Sequence, residues 1–162
     1  MNVTLNWTPG AGSTSQTVQY KLATTSTWTT FSTVSGTVTT ATVTGLADNL
    51  IYDFKILTAC NGGTSTQSPT VQKINIICPT VTVTPASTSL SYSFPEIGGS
   101  VTSYVVKLFN SGGTSELASQ TPTGTTTLTG TFSSLTASTT YKIRVIPTAG
   151  TITKTDCAFA TG

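Results

Sequence analysis

Two stretches decide the fold: Val43-Thr44-Gly45-Leu46-Ala47-Asp48-Asn49-Leu50-Ile51-Tyr52-Asp53-Phe54-Lys55-Ile56 and Phe132-Ser133-Ser134-Leu135-Thr136-Ala137-Ser138-Thr139-Thr140-Tyr141-Lys142-Ile143-Arg144-Val145. They superpose at a constant offset without a gap. In each, a strand ends at a Leu, a polar stretch with turn-forming residues follows, and a Tyr opens a run that alternates apolar with polar. Val43, Leu46, Tyr52, Phe54 and Ile56 in the first copy answer Phe132, Leu135, Tyr141, Ile143 and Val145 in the second. Asp53, Lys55, Lys142 and Arg144 take the alternate positions, which places them on the solvent face of one strand.

Working outward, the repeat extends over both halves. Val3, Leu5 and Trp7 alternate with polar neighbours, and Leu90, Tyr92 and Phe94 answer them. Val18, Tyr20 and Leu22 are matched by Tyr104, Val106 and Leu108, with Lys21 and Lys107 facing outward. Thr makes up about a quarter of the chain, and its β-branch suits a half-solvated pleated sheet. The reading is all-β, in two domains over residues 1–77 and 78–162. The apolar run Ile74 to Ile77, taken as the end of the last strand of the first domain, and Pro79 mark the junction.

The Leu, the six-residue interval and the Tyr resemble the tyrosine corner of fibronectin type III and related immunoglobulin-like domains. The resemblance implies two tandem β-sandwiches, with Leu46 and Tyr52 forming one corner and Leu135 and Tyr141 the other. Each Tyr would bury its ring and hydrogen-bond its hydroxyl to upstream backbone. Trp7 falls where this family carries a core Trp, and Phe94 replaces it in the second copy. The resemblance also exposes a departure: Thr80 to Thr84 can form strand A of the second domain, whereas strand B of the first starts next to Met1, leaving no strand A.

The first domain should therefore present an unpaired edge at Asn2, Val3, Thr4, Leu5, Asn6, Trp7 and Thr8, a candidate for pairing with a partner strand. The alternative, an edge that is solvated or capped by its own loop, stays open.

Nothing in the sequence suggests catalysis. The absence of His removes Ser-His-Asp and Cys-His arrangements and the commonest metal ligand. The five carboxylates, Asp48, Asp53, Glu96, Glu116 and Asp156, fall in different segments, so neither a paired acid–base site nor a calcium cluster is expected. No catalytic, metal or cofactor residue is expected, and no cofactor. Gly62-Gly63 and Gly112-Gly113 read as hairpin turns. Trp28 and Phe31 are exposed aromatics that could stack on a sugar, although one Trp makes a poor platform and an edge strand packing on its own sandwich explains them as well.

Seven basic and five acidic residues, net +2 and scattered, leave no patch for phosphates, and nucleic-acid binding is not expected. No apolar run is long enough to insert in a membrane, and the N-terminus lacks the pattern of an export signal. Cys60, Cys78 and Cys157, odd in number and far apart, allow at most one bridge within the chain and read as mostly free thiols in a reducing compartment.

The resemblance and the uncharged, Thr-rich composition together point to a non-enzymatic structural or adhesive module. The expected setting is a tailed-bacteriophage virion, as a capsid-decorating, tail or fibre component assembled in the host cytoplasm, with other virion subunits or itself as partners. The alternative is a bacterial cell-surface or secreted adhesin or spacer, with carbohydrate as a secondary candidate ligand.

Overall fold

A computed structural model describes residues 1–63 and 65–162. The chain forms two compact units, Met1–Asn75 and Ile76–Gly162. The first contains β1 (Val3–Asn6), β2 (Ser13–Leu22), β3 (Thr29–Ser35), β4 (Thr40–Val43), β5 (Tyr52–Cys60), β6 (Ser65–Gln67) and β7 (Val71–Lys73). The second contains β8 (Thr82–Pro85), β9 (Leu90–Pro95), β10 (Ser103–Phe109), β11 (Glu116–Gln120), β12 (Thr127–Phe132), β13 (Lys142–Ala149), β14 (Ile152–Thr153) and β15 (Ala160–Thr161).

The two units repeat one topology. In the first, β3, β2 and β5 lie side by side with β6 and β7 on the outer flank of β5, and β1 pairs with β4 in a second sheet. In the second, β11, β10 and β13 carry β14 and β15, while β12, β9 and β8 form the facing sheet. All the pairings are antiparallel. The fold is thus all-β, two tandem fibronectin-type-III-like sandwiches, with β8 at the place of a strand A that has no counterpart among the described residues of the first unit.

Period-two patterning supplies the cores. Val3, Val18, Val43, Leu46, Tyr52, Phe54 and Ile56 pack together in the first unit. In the second, Leu90, Phe94, Val106, Leu108, Ile143 and Val145 are almost wholly removed from solvent. Each such side chain contributes about 1.5–3 kcal/mol of burial. Gly36 is a steric requirement of the first unit, because a Cβ there would lie 2.0 Å from the Ser13 carbonyl oxygen. The buried Gln16 donates from Nε2 to the Gly36 carbonyl, so the β2 start and the turn after β3 are fastened at one point.

Four expectations need correction. The cysteines are not mostly free: Cys78 and Cys157 form a disulfide within the second unit, leaving Cys60 as the free thiol. Cys78, near the start of the second unit, meets Cys157 in the segment that follows β14. Ile74 to Ile77 is not a strand; the flank of β5 is filled earlier, by β6 and β7. Asp53 does not mark a solvent face, since Lys21 and Gln72 close over it and leave it buried. Trp28 is not an exposed ring but half-buried beneath two lysines.

Candidate functional site

Both corners have their hydrogen bond. The Ala47 N–H donates to the Tyr52 hydroxyl at 3.3 Å, and the Thr136 N–H donates to the Tyr141 hydroxyl at 3.1 Å. Leu46 is buried beside Tyr52, and Leu135 lies half-buried at the matching place. The preceding strands end at Val43 and Phe132, three residues before each Leu; Tyr52 opens β5 and Tyr141 stands just before β13, so each hydroxyl ties the start of the crossing strand to the loop backbone that follows Leu46 or Leu135. Asn49 adopts φ 60°, a left-handed conformation that Asn tolerates better than most residues, which completes the turn between β4 and β5.

The outer faces of the larger sheets carry cations packed on aromatic rings. In the first unit the Lys55 ammonium stands 4.2 Å from the Trp28 ring centroid and the Lys21 ammonium 5.4 Å. Lys21 also reaches the Asp53 carboxylate at 2.7 Å, and Gln72 donates to the other carboxylate oxygen at 2.9 Å. Burial would push the Asp53 carboxyl up, but the hydrogen bonds from Lys21 and Gln72 and the Lys21 charge outweigh it and hold the pKa below its ordinary value. In the second unit the Arg144 guanidinium lies 3.9 Å from the Phe159 centroid, and Phe159 meets Phe109 edge-on at 5.2 Å.

These clusters tie strands together on a face where bare aromatics would otherwise meet water. A sugar stacking on Trp28 would have to compete with the Lys55 ammonium, and Phe31, though exposed, stands apart as an aromatic on β3. The cation–aromatic partnerships escaped the sequence reading because β2, β3 and β5 bring together residues far apart in the chain. Lys55 and Arg144, cations at equivalent places in the two copies, were the available signal.

The carboxylates are dispersed. Asp48 meets the Met1 ammonium at 3.4 Å, Lys107 pairs with Glu116 at 2.7 Å, and Lys154 with Asp156 at 2.9 Å. The hydrogen bond from Asn75 is the chief influence holding the Asp48 pKa down, and that from Lys154 does the same for Asp156. Among the described residues no group of three His, Cys, Asp or Glu side chains could hold a metal ion. Among the described residues no helix is long and apolar enough to cross a membrane.

The edge strand is the remaining candidate. Among the described residues β1 pairs with β4 alone, in the register Val3↔Val43, Thr4↔Thr42, Leu5↔Ala41 and Asn6↔Thr40. The Trp7 N–H donates to the Thr39 carbonyl at 2.9 Å. By the alternation of an antiparallel ladder, Val3, Leu5 and Trp7 aim their main-chain groups at β4, while Thr4 and Asn6 aim theirs at the outer edge. Of the inner row only Val3 is buried; Leu5 and Trp7 are half-buried, and the Trp7 Nε1 has no hydrogen-bond partner. Near the start of the strand, a shallow cleft lies between Met1–Thr4 and Lys73–Asn75.

Residues 1–74 match the family described as Fibronectin type III domain. Among solved structures, a two-domain fibronectin type III segment from chicken tenascin matches with a TM-score of 0.62 and 14% identity, over 99% of this chain and 90% of that one. The FN1–FN3 domains of chicken CNTN1 match at 16% identity with a TM-score of 0.44, over 99% of this chain and 61% of that one. At these identities the likeness concerns the fold. Among curated proteins none matches the chain in sequence.

Proposed function

We propose that the chain is a non-enzymatic structural or adhesive module, and that its setting is a bacteriophage virion, as a capsid-decorating, tail or fibre component. The observation that carries the structural reading is how the polar and charged side chains are used. The corner hydroxyls bind backbone, Asp53 is spent on Lys21 and Gln72, and the sheet-face cations cap their own aromatics. Such partnerships rigidify a sandwich and leave its edges and loops as contact surfaces. The Thr-rich, nearly uncharged composition supports assembly in a crowded protein shell.

A second reading, a bacterial cell-surface or secreted adhesin or spacer, is favoured by the Cys78–Cys157 bridge, because disulfides persist mainly in oxidising surroundings. Fractionation of the source separates the two. An antibody against the chain should decorate purified particles in electron micrographs and co-sediment with them. Recovery only from cell envelope or medium would refute the virion reading in favour of the second.

A further inference from the structure

The internal repeat shows what an occupied edge looks like. In the second unit β9 is the counterpart of β1, and its outer edge is filled by β8 in the register Thr82↔Ser93, Val83↔Tyr92 and Thr84↔Ser91. The Glu96 N–H donates to the Thr126 carbonyl across the other edge, so Ser91 and Ser93 face β8, as Thr4 and Asn6 face the open edge of β1. Val83 is half-buried between exposed Thr82 and Thr84, which places it on the inner side.

The burial of the two inner rows differs accordingly. Leu90, Tyr92 and Phe94 are 2%, 3% and 2% exposed, whereas Leu5 and Trp7 at the matching places remain half-buried. No charge lies between Asn2 and Thr8 to repel an incoming strand.

We propose that the outer edge of β1 is a strand-accepting site, filled by an extended, uncharged segment of another polypeptide that carries Thr-Val-Thr or its chemical like. The segment runs antiparallel to β1, exchanges main-chain hydrogen bonds with Thr4 and Asn6, and sets its central β-branched residue over Leu5. The choice of another polypeptide rests on the reading of the chain as an assembly component; the edge chemistry stands independently.

The probe is a capped peptide Pro-Thr-Val-Thr-Val-Thr-Pro, the sequence of residues 79–85, added at millimolar concentration to the full chain. Amide hydrogen exchange at Thr4 and Asn6, read by NMR, should slow at least tenfold and saturably, with Ser91 and Ser93 unchanged. A peptide with Asp in place of the second Val should have no effect. In a parallel variant the same heptapeptide precedes Met1 on a flexible Gly-Ser linker, which raises its effective concentration to the millimolar range. Exchange at Thr4 and Asn6 unchanged in both formats overturns the strand site. Slowing in the tethered format alone assigns the edge to its own polypeptide and overturns the partner. Slowing without peptide that grows with chain concentration assigns it to a second copy and does the same. These outcomes are read on the isolated chain, so they stand apart from whether it is found in particles.

Discussion

Removing the Cys78–Cys157 bridge should weaken the second unit and leave the first untouched. The bridge joins residues separated by 79 positions, and nearly the whole second unit lies inside the loop it closes. Loop-closure entropy for that length gives a stabilisation of about 4.5 kcal/mol at 25 °C, and measured values for disulfides usually run from about 2 kcal/mol upward. For a unit of about 87 residues, unfolding entropy near 2.1 cal/mol/K per residue converts this to a fall in midpoint of roughly 10–25 °C. Cys78 is exposed, so a thiol reductant can reach the bridge, and the Cys78→Ser/Cys157→Ser double variant gives the same state without reductant. Calorimetry should show one transition moving down. Trp fluorescence supplies the control, because Trp7 and Trp28 both lie in the first unit and should report an unchanged midpoint. Three titratable thiols in the unreduced chain, or a second-unit midpoint that ignores reduction, would refute the reasoning.

Gly36→Ala places a methyl 2.0 Å from the Ser13 carbonyl oxygen, a backbone atom that cannot rotate away, and should cost the first unit about 1–3 kcal/mol or more in urea denaturation. Tyr141→Phe removes the acceptor of the Thr136 N–H and should cost the second unit about 1–3 kcal/mol; calorimetry on the variant checks it, and an unchanged midpoint would mean that water replaces the hydroxyl. Because the Asp53 carboxyl is held below its ordinary value near 3.8, its stabilising effect is complete above that pH and is lost as pH falls through the lower folded value. Lys21→Met should therefore be less stable than the parent by about 1–3 kcal/mol at pH 7, with the gap narrowing below about pH 4. An equal gap at pH 7 and pH 3 in Trp-monitored denaturation would contradict that assignment.

The sandwich architecture was legible because it is written locally. Alternation at Val18-Gln19-Tyr20 or Ile143-Arg144-Val145 decides strand and face without knowledge of the partner strand, and turns such as Asp48-Asn49 carry their own backbone preference. The Leu46 to Tyr52 and Leu135 to Tyr141 intervals were readable for the same reason, since a corner is made within one stretch of chain. The open edge of β1 could be anticipated only by counting strands against the second copy, where Thr82–Pro85 supplies what the first lacks.

What the sequence by itself determined is therefore the periodicity and the corners, each a relation between residues at most a few positions apart, and the repeat, which is the same local pattern met twice along the chain. The tertiary structure alone decided which distant groups meet. Lys21 and Lys55 converge on Trp28, Asp53 disappears beneath Lys21 and Gln72, and Cys78 finds Cys157 across the second unit. The physical reason is that strand register and sheet order, not spacing along the chain, set those distances. A pattern of period two says which way a side chain points but not which strand lies beside it.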